Sequence, residues 1–133
     1  MNATLHLIAL FLATMTICQP FNQLQVLTDP AEYLWSIDIS KDNHIIASGS
    51  QDNSTYIYLK SSNLFSMQQR ITDSSSEIYV IDLTGDGKKL LVVEWLANIR
   101  IYENINNIFH LFQTIIPSNG AITTAAGAIT DDQ

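Results

Sequence analysis

The side chains of this 133-residue chain best suited to acid–base, nucleophilic or metal chemistry are His6, His44, His110 and Cys18. A hydrolytic triad needs a nucleophile, a base and an orienting acid that meet in space. The histidines are far apart; His44 stands in a polar turn, His110 in an apolar run, and neither has a telling neighbour. A single cysteine allows neither an intrachain disulfide nor a thiolate metal site. No Gly-rich phosphate loop, paired-His metal motif or nucleophile elbow is present. The expectation is therefore no catalytic residue, no metal and no cofactor. What recurs is aromatic. Trp35 and Tyr79 lie 44 positions apart, preceded by Glu32-Tyr33 and Glu77-Ile78. Aromatic side chains make good interface anchors, and Trp95, at a tight turn, is placed to join them. Trp35, Tyr79, Glu32, Glu77 and Trp95 are the partner-binding candidates; the competing reading makes Trp35 and Tyr79 caps on the core between repeats. Asn53-Ser54-Thr55 is a glycosylation sequon in an exposed turn, relevant only to a secreted chain.

Composition narrows the partner. Six Lys plus Arg stand against thirteen Asp plus Glu, a net charge of −7. A phosphate backbone is bound by clustered cations that displace its counterions. This chain has almost none to cluster, so nucleic acid and an anionic membrane surface are poor partners. Hydrophobic content of 47% allows one modest core.

The elements that must position these residues come from a repeat. Slid along itself by 44 positions, Trp35–Ile71 returns without a gap as Tyr79–Ile115. Ile37 lands on Ile81, Asp38 on Asp82, Asp42 on Asp86, Tyr58 on Tyr102, Phe65 on Phe109 and Gln69 on Gln113. A period of this size signals a repeat architecture. Each copy holds four short apolar runs separated by turns. The first, Leu34–Ile39, reads as alternating, with Trp35, Ile37 and Ile39 on one face and Ser36 and Asp38 on the other. Ser40–Asn43 and Thr84–Gly87 are matching turns, and Ile45–Ser48 and Leu90–Val93 read as strands buried on both faces. Ahead of the copies, Phe21–Asp29 matches Phe65–Asp73 at the same offset, a leading outer strand over residues 20–29. After them, residues 121–133 begin a third copy, with Ile129-Thr130-Asp131-Asp132 in place of Ile39-Ser40-Lys41-Asp42. The fold class is all-β: four-stranded antiparallel meanders over residues 33–73 and 77–117, with no helix of useful length.

Ile39-Ser40-Lys41-Asp42-Asn43-His44-Ile45-Ile46-Ala47-Ser48-Gly49-Ser50-Gln51-Asp52-Asn53, followed by Tyr56-Ile57-Tyr58, resembles the core of a WD-repeat β-propeller blade. The resemblance covers about two blades and the leading strand. The Gly-His pair of that family is absent, its closing Trp-Asp is replaced by Tyr58-Leu59 and Tyr102-Glu103, and the second copy has Val92-Val93-Glu94-Trp95 for Ser-Gly-Ser. The likeness implies a non-catalytic protein-interaction scaffold, with Trp35 and Tyr79 at the end of the blades that binds partners. Two blades cannot close a ring, so the expectation is a fragment of a longer propeller or a chain that completes its ring by self-association. Asp82–Val93 also resembles the calcium loop of integrin-type (FG-GAP) propeller repeats, whose ligands would be Asp82, Thr84 and Asp86, with Asp38, Ser40 and Asp42 in the first copy. Leu90 and Ile46 sit where a later acidic ligand is wanted, which favours a structural turn. The alternatives are thus a calcium-bearing extracellular adhesion repeat or a secreted propeller-fold hydrolase.

Residues 1–18 carry an uncharged apolar run, Leu7–Ala13, too short to span a bilayer and suited to a secretory signal peptide. A worn earlier repeat and a buried starting helix are the other readings of this stretch. With a signal the protein is secreted or extracytoplasmic; without one, cytoplasmic.

Overall fold

The computed structural model describes residues 23–95, 98–117 and 128–131. Eight strands run through it: β1 (Leu34–Ile39), β2 (Ile45–Ser50), β3 (Thr55–Ser61), β4 (Leu64–Ile71), β5 (Ile78–Leu83), β6 (Lys89–Glu94), β7 (Ile99–Ile105) and β8 (Ile108–Ile115). They form two four-stranded antiparallel meanders in the orders β1-β2-β3-β4 and β5-β6-β7-β8, and β5 packs against β1 and β2. Two consecutive blades, stacked through their innermost strands, are the all-β architecture expected. The signal-peptide reading of residues 1–18 lies outside the described residues.

The turns follow from a few residue types. Ser40 and Thr84 are buried, and each hydroxyl donates to the aspartate two residues on, Asp42 at 2.6 Å and Asp86 at 2.9 Å. The same hydroxyls accept from the amides of Ile45 (3.0 Å) and Lys89 (2.9 Å), while Asp42 and Asp86 accept from those of His44 and Lys88. Such side chains supply the acceptors that a tight turn cannot find in its own backbone. Asn43 (φ 59°) and Gly87 (φ 70°) take the same left-handed position, which glycine and asparagine enter most easily. The β7–β8 hairpin turns on Asn106 and Asn107, both with positive φ, the geometry of a two-residue type I′ loop.

Each blade also carries two matching irregularities. The β1–β2 register shifts between Leu34 and Ser36, and the β5–β6 register shifts between Ile78 and Val80. A bulge inserts one residue and reverses the alternation. Leu34, Ile37 and Ile39 therefore share a face, and Trp35 leaves it; the simple alternation of Trp35 with Ile37 and Ile39 read from the sequence is corrected here. A second bulge in the outer pair sets Gln68 and Phe112 out of register in β4 and β8.

One core joins the blades. Ile45, Ala47, Ile57 and Ile71 of the first meet Ile78, Ile81, Leu83, Leu90, Val92, Tyr102 and Phe109 of the second. At Gly49 the approach is closest: a Cβ there would stand 2.5 Å from Ile78 Cγ2 and 3.0 Å from Ile81 Cγ1. The side chains of β1 also bond the free edge of β5, Ser36 Oγ accepting from Ile81 N at 3.0 Å and Asp38 Oδ2 from Leu83 N at 2.7 Å. The equivalent face of the first blade is open. Leu34, Ile37 and Ile39 are 47, 64 and 45% exposed, where their counterparts Ile78, Ile81 and Leu83 are 0, 4 and 5% exposed.

The flanking segments repeat these bonds. Gln69 donates to Phe109 O (2.9 Å) and accepts from Phe109 N (2.8 Å); Gln25 makes the same pair with Phe65, at 2.6 and 2.8 Å. Residues 23–29 thus lie beside β4 as β4 lies beside β8, but they form no strand. An outer strand needs a third strand beside it to complete its ladder, and the described residues hold none there. At the other end Ile129 N donates to Asp82 Oδ2, as Leu83 N does to Asp38.

Two outcomes test this packing. Gly49→Ala forces a methyl against the branched Ile78 side chain, an overpacking that lowers unfolding free energy by about 1–3 kcal/mol in denaturant melts. The Lys88 side chain, with the Lys88 amide and the Thr84 hydroxyl, holds the Asp86 carboxyl down from 3.8 to about 2. A carboxylate depressed on folding stabilises above its unfolded pKa and loses that contribution as pH falls through the folded one. Melting temperature is expected to drop from pH 4 toward pH 2. An Asp86→Asn variant should start lower at neutral pH and converge with the parent at the acid end, an effect that salt diminishes because the site is open to water.

Candidate interaction site

The antiparallel meander brings the starts of β1 and β5, the β2–β3 and β6–β7 turns and the β4–β5 connection to one end of the stack. There the bulges turn Trp35 and Tyr79 out of the core. Matching backbone bonds staple the turns to the strand starts: Gln51 N to Tyr33 O at 2.9 Å, and Trp95 N to Glu77 O at 2.8 Å. Trp95 thereby occupies in the second blade the place of Gln51 in the first.

The result is a continuous row of rings. Tyr33 and Trp35 meet at 6.3 Å between centroids, tilted by 42°; Trp35 and Tyr79 stack at 5.4 Å and 22°; Tyr79 and Trp95 stack at 4.4 Å and 25°. Trp35 and Tyr79 belong to different blades, so the row closes the seam between them and is at the same time a surface, with Tyr33, Trp35 and Trp95 exposed. Three of the sequence-derived candidates are joined in the row, Trp35 and Trp95 each stacking on Tyr79. Glu77 borders the row, its Oε1 accepting from Gln51 Nε2 at 3.5 Å. Glu32 is exposed, next to Tyr33 in the chain. Tyr33 itself was missed; its position two residues before Trp35 in an extended segment was the available signal.

Behind the row lie buried polar groups. Glu94 is fully buried; it accepts from Arg100 Nε and, through Oε2, from Ser75 N (3.2 Å) and Ser75 Oγ (2.8 Å), fixing the β4–β5 connection. Ser76 Oγ donates to Trp95 O at 2.7 Å. In the first blade Asp52 takes the hydroxyl of Tyr56 and the guanidinium of Arg70 (3.1 Å). Burial pushes the Asp52 carboxyl up, and the hydrogen bonds from Tyr56, Ser50 and Ser54 outweigh it, so its pKa is lowered. Tyr102 donates to Asp73 Oδ1 at 2.6 Å, and burial together with that carboxylate holds its hydroxyl protonated.

The other chemical candidates go elsewhere. His44 is exposed in the β1–β2 turn, its Nδ1 3.0 Å from Asp42 O, and His110 is exposed on β8. Cys18 lies outside the described residues. The oxygens proposed as calcium ligands do not converge: Asp38 and Asp82 bond the neighbouring segments' amides, and Asp42 and Asp86 bond their own turns. Among the described residues no group of three or more His, Cys, Asp or Glu is arranged to hold a metal. Asn53, expected in an exposed turn, is half-buried with positive φ, and Ser54 and Thr55 after it are buried. The turn is drawn in by Ser54, whose amide donates to Asp52 (3.0 Å) and whose hydroxyl accepts from Arg70 Nε (3.1 Å).

No protein-family model matches the chain, and no curated protein sequence matches it. Among solved structures it is similar to the Cps50 (Swd1) β-propeller domain of Myceliophteria thermophila, at 17% identity and a TM-score of 0.54, covering 72% of this chain and 34% of that one. The chain therefore spans about a third of the length of that propeller. Together with the two stacked four-stranded meanders, the likeness gives the fold: consecutive blades of a β-propeller.

Proposed function

We propose that the chain serves as a non-catalytic protein-interaction scaffold, and that the row Tyr33–Trp35–Tyr79–Trp95 is where a protein partner docks. The observation that carries this reading is the row itself: large rings, three of them exposed, held in one geometry by two blades and by a buried network beneath them. Exposed apolar surface bounded by polar groups marks interaction sites, and rigid aromatic anchors supply contact area at low entropic cost. Of the groups best suited to other chemistry, His44 is engaged in a turn and His110 is exposed on β8. A photo-crosslinking residue at position 35, compared with one at Leu64 on the opposite end, tests the reading in extracts of the source cell. Discrete protein adducts from position 35 alone are expected; equal labelling from both positions, or none, overturns it.

We also propose that the open face of the first blade, Leu34, Ile37 and Ile39, is covered by a second copy of the chain. What supports this is continuity with the contact already made, since the same positions one repeat later are buried against a blade. Repeats of this kind need neighbours for stability. Sedimentation equilibrium should show concentration-dependent association that Ile37→Asp abolishes; a monomer at every concentration removes the proposal.

A further inference from the structure

The ring row sits at the acidic end of an acidic chain. Glu32, Asp52, Asp73, Glu77 and Glu94 lie on the strand starts and connections of that end. Of the six cations, Arg70 bonds Asp52 and Arg100 bonds Glu94, while Lys41, Lys60, Lys88 and Lys89 lie toward the opposite turns. The two cation–π contacts among the described residues, Lys60 over Phe65 and Arg70 over Tyr56, are not in the row. Among the described residues, then, neither cation–π contact falls on the π faces of the row.

Those faces are partly uncovered. Centroid separations of 5.4 and 4.4 Å at tilts of 22° and 25° exceed the ~3.5 Å of rings in full overlap, so each ring is slid across the next like a stair. An aromatic face carries the negative side of the ring quadrupole and attracts ammonium or guanidinium groups. Glu77 stands at the edge of the stair, its Oε1 holding among the described residues the 3.5 Å contact from Gln51, and a carboxylate has acceptor capacity for more.

We propose that the partner's docking segment is cationic: an extended peptide that lays a lysine or arginine on the steps between Trp35, Tyr79 and Trp95 and pairs it with Glu77, with an apolar neighbour against Tyr33. This rests on the reading that the row is the docking site. Ring faces and carboxylates then work on the same charge from different sides.

The chain's two tryptophans are both in the row, so intrinsic fluorescence reports the site directly. Full-length protein is titrated with a synthetic peptide alternating Lys and Leu, with its Gln-for-Lys counterpart and with its Glu-for-Lys counterpart. The Lys peptide should bind, and the Gln and Glu peptides should bind much more weakly or not at all. Trp35→Leu or Trp95→Leu should weaken the Lys peptide by about tenfold or more, and Glu77→Gln by roughly two- to fivefold. Glu103→Gln, which removes a charge from the opposite end, should leave it unchanged. Circular dichroism melts certify that each variant is folded, and Glu77→Gln keeps the test alive if a tryptophan variant is not. Equal binding of the Lys and Gln peptides overturns the cationic partner while leaving the row as a docking site. Equal loss in Glu77→Gln and Glu103→Gln assigns the attraction to net charge and also overturns it. No change on removing either tryptophan, or no binding of any peptide, overturns the inference together with the site.

Discussion

The packing of one blade's innermost strand against the next blade is the contact on which everything else in this molecule depends. A four-stranded meander is apolar on both faces and can cover neither by itself. Here the cover is close because Gly49 lets β5 approach to within a side chain's thickness of β2, so that Ile78 and Ile81 fill the space a Cβ would have taken. Close approach leaves the amides on the free edge of β5 facing its neighbour, and an unpaired buried amide is costly. Ser36 and Asp38 resolve that conflict by accepting from Ile81 and Leu83. Apolar contact and edge satisfaction are thus a single arrangement.

The arrangement propagates along the chain but not identically. Asp82 repeats the role of Asp38 for Ile129, and Gln25 repeats that of Gln69 for the outer strand. Yet Val80 stands where Ser36 stood and Val93 where Gly49 stood. The far side of the second blade therefore lacks one edge acceptor and carries a branched side chain at the point of closest approach. The polar networks differ likewise: Ser50 and Tyr56 of the first blade become the buried Glu94–Arg100 pair of the second. Glu94 and Arg100 hold the connection that leads into Tyr79, so the second blade's departure from the repeat is located where the aromatic row is built.

These differences explain what could be read from the residues and what could not. The strand layout, the turns at Ser40 and Thr84 and the matching places of Tyr58 and Tyr102 follow from the 44-residue offset, because hydrophobic pattern and turn chemistry are local. The bulges at Trp35 and Tyr79 are not local. Alternation alone put Trp35 beside Ile37, whereas the register that buries Ile78, Ile81 and Leu83 together turns the aromatic position outward. For the same reason the sequence pointed to Trp35, Tyr79 and Trp95 as one group, while their stacking, and the place of Tyr33 at its end, appear only once the blades are side by side. Asn53 erred in the other direction: polar residues suggested an exposed turn, and Ser54 buries itself to reach Asp52 and Arg70.

A surface made in this way ties recognition to the fold. Trp35 is delivered by one blade, Tyr79 and Trp95 by the next, and no blade carries the stair alone. A change at Gly49 acts on Ile78, the residue before Tyr79, so that the seam and the ring row are disturbed together. Conversely, a partner that bridges Trp35 and Tyr79 holds β1 and β5 together and adds its binding energy to the blade contact. Binding and blade stability are then linked: whatever binds only the stacked form stabilises the stack by mass action. The ring row is in this sense a continuation of the core that happens to face water, and the chemistry that a partner meets there is set by packing decisions made further down the strands.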